Sequence, residues 1–246
     1  MSDQSNRRRS GGRAARRAAR SEAAQEAVPF LTRSMPPVEV VSEEGLVVIE
    51  DNAETILEEV GIDFQEYPRA LELLGSAGAQ VDGERVRFPR GMCREIVGAS
   101  APSTYTHHAR NPARSVQVGG DATVFVPSYG SPFVHDLDDG RRYATIEDFN
   151  NFVKLAYQSP HLHLSGGTVC EPVDVPVSKR HLDMVYAHLR YSDKPFMGSV
   201  TAAERAQDTV DMAKLVFGDE FVEANLHEGK ILFINIFHKL LIYMVI

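Results

Sequence analysis

Three short stretches combine glycine with side chains able to hold a small cation or offer a hydroxyl: Phe125-Val126-Pro127-Ser128-Tyr129-Gly130, Gly166-Gly167-Thr168-Val169-Cys170-Glu171-Pro172 and Gly198-Ser199-Val200-Thr201. Each reads as the end of a β-prone run, where ligands of parallel α/β folds sit and where glycine lets a ligand approach the backbone. Glu171 supplies a carboxylate, and Tyr129 and Phe133 supply aromatic rings. A carboxylate beside aromatic faces suits a quaternary ammonium, held by charge and cation–π attraction. The candidate substrate-binding residues are therefore Tyr129, Phe133, Thr168, Glu171 and Ser199, and no catalytic residue is assigned. His161 and His163 alternate along one run, but no third ligand stands at convincing metal-site spacing, so both read as structural and no metal site is expected. Cys170 reads as a small buried hydrophobe.

The elements that must position these residues follow from periodicity. Leu46, Ile49, Ala53, Ile56, Leu57 and Val60 fall three or four apart, which predicts a helix capped by Ser42 and stopped by Gly61. Tyr67 to Gly78 predicts a second helix with Pro68 in its first turn, Val81 to Phe88 a hairpin around Asp82-Gly83, and a third helix starts at Pro89. Residues 103–140 alternate short β-prone runs with turn signals and form a β-rich lead-in. Beyond them Thr145 and Asp148 form a capping box for a helix with Phe149, Phe152, Val153 and Ala156 on its apolar side. Ser178 is placed as the cap of a helix through Leu182, Val185 and Leu189, and Thr201 with Glu204 as the capping box of one ending at Gly218. Strands are expected from near 124, 162, 195 and 231, so that one βα unit recurs about every 35 residues, the rhythm of a doubly wound sheet or a (β/α)8 barrel.

The 246 residues, 43% hydrophobic and 24% charged, exclude wholesale disorder, and two cysteines without a CxxC indicate neither a disulfide scaffold nor a structural zinc site. The net charge of −8 divides unevenly: residues 1–28 hold seven arginines against three acids, a net of +4, so the rest carries −12. A disordered basic arm on an acidic body does not suit nucleic-acid binding, which needs a basic folded surface. No run reaches the roughly 20 apolar residues of a membrane span; the nearest, Ile231 to Ile246, is interrupted by Asn235, His238 and Lys239. No apolar h-region marks the start, and cytoplasm is the simpler compartment. The sequence has no P-loop, no GxGxxG, no GxSxG elbow and no DxHxxG, so nucleotide, dinucleotide, serine-hydrolase and resident-corrinoid chemistry all lack their motifs.

Long blocks of the chain resemble the trimethylamine methyltransferase family: PFLTRSMPP (29–37), ILEEVGIDF (56–64), VDGERVRFP (81–89), HHARNPARSVQVGG (107–120), FVPSYGSPFVHDLDDGRRYATIEDFNNFVKLA (125–156), SGGTVCEPVDVPVSKRHLDMVYAHLRYSDKPFMGSV (165–200) and VFGDEFVEAN (216–225). The resemblance implies a (β/α)8 barrel that moves a methyl group from a methylated or quaternary amine, of trimethylamine or glycine betaine type, to the cobalt of a separate corrinoid protein. No cofactor is then bound directly; the corrinoid (cobalamin) arrives on the partner. A pyrrolysine-free, betaine-type relative is favoured. Family chains run to about twice this length, so the expected fold is the N-terminal half of a (β/α)8 TIM barrel, truncated after about four strands. It comprises a basic arm (1–28), a helical region (29–102) and a β-rich lead-in with the half-barrel (103–246), ending in an atypical tail (226–246). Such a chain is expected to be inactive and aggregation-prone alone. A non-catalytic half-barrel that binds a corrinoid protein or partner subunit, and pairing with another copy, stand as the alternatives.

Overall fold

The computed structural model describes residues 30–36, 38–198 and 202–226. The basic arm, Ser199, Thr201, the strand expected from 231 and the tail beyond Leu226 lie outside them. The expected capping box of Thr201 with Glu204 is replaced by an N-cap at Ala202 that makes no side-chain cap bond, because the helix begins only at Ala203. The fold is mixed α/β. In chain order the elements are β1 (Leu31–Thr32), α1 (Glu43–Thr55), β2 (Ile62–Asp63), α2 (Pro68–Ser76), β3 (Gln80–Asp82), β4 (Arg85–Arg87), α3 (Met92–Ser100), β5 (Thr104–His107), β6 (Val116–Gly119), β7 (Ala122–Thr123), β8 (Phe133–Asp136), β9 (Gly140–Tyr143), α4 (Ile146–Gln158), α5 (Val177–Tyr191), α6 (Ala203–Phe217) and α7 (Asp219–Leu226). No closed barrel is formed among the described residues. None of their helices is long and apolar enough to cross a membrane.

The chain divides into two compact units, one of them formed by residues 33–104. There the Ser42 hydroxyl accepts the Gly45 amide at 3.2 Å and starts α1, and a π turn over Ile56–Val60 ends it at Gly61. Glycine is needed at that stop: its φ is +74°, and a Cβ would lie 2.4 Å from the Val86 carbonyl oxygen. The strand order β2-β4-β3 builds a small antiparallel sheet. Its buried Val86, with Ala79 and Phe88, packs against Leu57, Phe64, Leu71 and Leu74.

The second unit contains Leu31–Thr32 and the chain from Tyr105. Its sheet runs β1-β7-β6-β5, and β8 and β9 pair as a hairpin in the register Phe133↔Tyr143 to Asp136↔Gly140. The expected capping box opens α4: the Thr145 hydroxyl accepts the Asp148 amide, while the Asp148 carboxylate accepts the Thr145 amide at 2.8 Å and the Arg142 guanidinium at 2.6 Å. Arg142 and the two Thr145 donors hold the Asp148 carboxyl well below the usual carboxylate range. Thr145→Ala should therefore cost about 1 kcal/mol, read as a fall of roughly 2–4 °C in a thermal melt; an unchanged midpoint would show the cap to be idle.

Helix α5 lies between two cores. Met184 and Ala187 join Phe149, Val153, Val169 and Cys170 on one side, and Val185 and Leu189 join Phe196, Val210, Ala213 and Val222 on the other. Two expectations change here. The N-cap of α5 is Pro176, not Ser178, because the helix already begins at Val177 and Pro176 makes no side-chain cap bond. After Gly218 (φ +87°), the short helix α7 continues the chain, an element the periodicity did not reveal.

The runs expected as strands from 124, 162 and 195 are extended segments joined by scattered backbone bonds. His163 N–H donates to Phe125 O at 2.9 Å and Gly130 N–H to Thr168 O at 2.8 Å, so the first two run in the same direction. Ser165 N–H donates to Pro195 O and Met197 N–H to Gly166 O, both at 2.9 Å, which aligns the third with the second. Continuous ladders are interrupted because Pro127 and Pro195 lack an N–H and Gly166 adopts φ +104°.

Candidate functional site

The three segments end together. A small hollow of about 10 Å³, room for roughly one water molecule, lies at the ends of the second and third, lined by Gly167, Thr168, Met197 and Gly198 and by Met184, Val185 and His188 of α5. Gly198 is a spatial necessity, since a Cβ there would lie 2.3 Å from Thr209 Cγ2, and a Cβ on Gly167 would press on Met197 Cβ at 3.1 Å. From the first segment, the Tyr129 hydroxyl donates to the Met197 thioether sulfur at 3.1 Å. Two of the five candidate residues, Tyr129 and Thr168, are thus brought to one place through Met197.

The others stand apart or are engaged. Glu171 is ion-paired with the guanidinium of Arg180, which is itself mostly buried and also donates to Val175 O. This carboxylate therefore arrives already neutralised. Phe133 lies on β8 against Tyr143, ring centroids 4.7 Å apart, and the Arg141 guanidinium sits 3.7 Å from the Phe133 centroid. Its π face already holds a cation. Ser199 is outside the described residues.

His163 accepts the Phe125 amide on Nδ1 at 2.8 Å and stacks on the Phe125 ring, fastening the first segment to the second. Burial depresses its pKa. Cys170 is buried among apolar side chains, and desolvation pushes its thiol up to about 12, with Asp148 and Glu171 acting in the same direction. It is therefore a thiol, not a thiolate, at neutral pH. No cluster of three or more His, Cys, Asp or Glu is positioned to hold a metal among the described residues.

The residue that motif reading passed over is His188. It is 2% exposed. Its ring stacks on Phe196 and meets Phe149 edge-on. Nε2 lies 2.9 Å from the Gly167 carbonyl and Nδ1 3.0 Å from the Ser165 hydroxyl. A carbonyl can only accept, so the proton is on Nε2, and Nδ1 takes the serine hydrogen. Burial lowers the pKa to about 4, keeping the ring neutral. A signal was present in the sequence: His188 follows Met184 by four residues and Val185 by three, continuing the buried face of α5.

Comparison with known proteins identifies the family. The profile of the family Trimethylamine methyltransferase (MTTB) matches residues 9–237. A glycine betaine methyltransferase of Desulfitobacterium hafniense (strain Y51) is 45% identical over 188 residues, 76% of this chain and 39% of that protein. The match therefore covers well under half of that relative's length. The match runs through both units and the three segment ends, and the chain belongs to the trimethylamine methyltransferase family.

Proposed function

We infer that this chain carries the amine-binding N-terminal part of a methyltransferase that takes a methyl group from a quaternary amine, of glycine betaine rather than trimethylamine type, and delivers it to a separate corrinoid protein. The carrying observation is the convergence of Tyr129, Thr168 and Met197 at one end of three co-directional segments, in a family whose named relative acts on glycine betaine. In this reading the segments are the first strands of a (β/α)8 barrel, and the helical region 29–102 precedes them in the chain. The corrinoid, held by its own protein, supplies the methyl acceptor.

What the chain's residues must do is physical. A methyl on a quaternary nitrogen departs as the neutral amine is released, so the protein need not supply a nucleophile; it must orient the ammonium and exclude water. The Tyr129 ring offers a π face, and the soft Met197 sulfur and the Thr168 side chain line the adjoining wall. Glu171 and Phe133 contribute only if the substrate competes with Arg180 and Arg141, since both already hold a cation. A non-catalytic half-barrel that grips a corrinoid protein is the second reading, favoured if partner binding occurs without amine binding.

Titration calorimetry of this chain with glycine betaine, trimethylamine and 3,3-dimethylbutanoate, the carbon isostere that keeps the carboxylate of betaine and lacks its cation, tests the assignment. Betaine should bind in preference to the isostere, and Tyr129→Ala should weaken it about tenfold, the scale of a desolvated cation–π contact. Equal binding of betaine and isostere, or an unaffected Tyr129→Ala variant, would remove the amine-site reading.

A further inference from the structure

The contacts around the hollow form a closed circuit. His188 Nε2–H holds the Gly167 carbonyl, which fixes the peptide leading into Thr168. Thr168 O accepts the Gly130 amide at 2.8 Å and so fixes the turn that carries Tyr129. Tyr129 reaches Met197 at 3.1 Å, and the Met197 amide returns to Gly166 O at 2.9 Å. Inside the circuit, His188 Nδ1 meets Ser165, whose amide donates to Pro195 O. One imidazole thus touches two residues of the second segment and stacks on Phe196 of the third.

We propose that His188 is a positioning residue for the amine site, acting through its Nε2–H bond to Gly167 to set the placement of Thr168, Tyr129 and Met197. The proposal deepens the methyltransferase reading and rests on it. An aromatic or aliphatic residue could fill the same volume, but none could donate to Gly167 O while accepting from Ser165. A buried carbonyl left without a donor destabilises its local conformation, and the Gly166-Gly167 pair has no side chains to resist the change. His188 lines the hollow but offers it no polar atom, because both ring nitrogens are already engaged.

Glutamine and asparagine separate this role from mere packing. The glutamine amide nitrogen stands as many bonds from Cα as Nε2, whereas that of asparagine matches Nδ1 and falls short of Gly167. In His188→Gln, amide hydrogen exchange at Gly130 and Met197 should stay close to wild type. In His188→Asn it should accelerate about tenfold at these two amides, the scale of one lost buried hydrogen bond, while the Val222 amide of α7 is unaffected. Betaine affinity should follow the same order. Asparagine behaving like glutamine, or acceleration of equal size at Val222, would overturn the proposal. If wild type binds neither betaine nor trimethylamine, the amine-site reading fails, and the exchange pattern still decides whether His188 positions the segment ends. Should both variants fail to fold, imidazole nitrogen NMR of wild type decides: a proton on Nε2 supports the role, and a proton on Nδ1 refutes it.

Discussion

Lys194→Met should lower stability by at least about 3 kcal/mol, because three carbonyls lose the ammonium that donates to them at about 1 kcal/mol or more each. Lys194 is 4% exposed, and its ammonium donates to Ala156 O at 2.8 Å and to Ser159 O and Leu162 O at 2.7 Å. Those acceptors are the closing turn of α4 and the chain leading to His163. A helix leaves its last carbonyls without internal partners, and a cation there also meets the negative end of the helix dipole. Burial lowers the Lys194 pKa to about 8, which still leaves the ammonium dominant at pH 7. Methionine keeps the apolar stem and removes the donors, so packing changes little. The melting midpoint should fall roughly 6–12 °C, whereas Lys179→Met, which removes an exposed pair with Asp183 on α5, should shift it by less than about 2 °C. A Lys194→Met midpoint as close to wild type as that of Lys179→Met would show that water replaces the ammonium without cost.

Acid should destabilise the unit built on α5 well before carboxylates titrate. His188 is neutral in the fold with a pKa lowered to about 4, against 6.5 for an ordinary histidine. The unfolded chain therefore binds the proton first. The stability contribution is full above pH 6.5, and it is lost as pH falls from 6.5 towards 4. Over that window the loss is about 3 kcal/mol, since each tenfold difference in proton affinity between the folded and unfolded chain is worth about 1.4 kcal/mol. His163, also depressed by burial, acts in the same direction. Asp148 has its pKa held far below the usual range, so its contribution persists until more acidic conditions. Thermal melts at pH 7, 6, 5 and 4 should show a progressive fall that His188→Gln flattens. Parallel curves for wild type and variant would mean that His188 is not the group titrating.

The sequence by itself determined the local elements and the family. Ser42 as a cap, Gly61 and Gly218 as stops, the Thr145 and Asp148 capping box and the Asp82-Gly83 hairpin turn depend on neighbours within a few residues, where φ preferences and side-chain reach dominate. Long characteristic blocks made the family legible for a similar reason, since they need no knowledge of which blocks touch. Ser178 failed as the cap of α5 because Pro176 pre-sets the backbone just ahead of it.

Only the tertiary structure decided which side chains meet. Tyr129 and Met197 lie 68 positions apart, and Lys194 reaches carbonyls 32 to 38 positions away. Periodicity fixes the face on which a residue lies but not its partner on another element. For that reason Glu171 and Phe133 read as open cation sites in the sequence, although Arg180 and Arg141 occupy them in the fold. His188 read as one more residue on a buried helix face. Its role is visible only with Gly167 and Ser165, more than 20 positions away, at its two nitrogens, because a buried polar atom is defined by the partner that satisfies it.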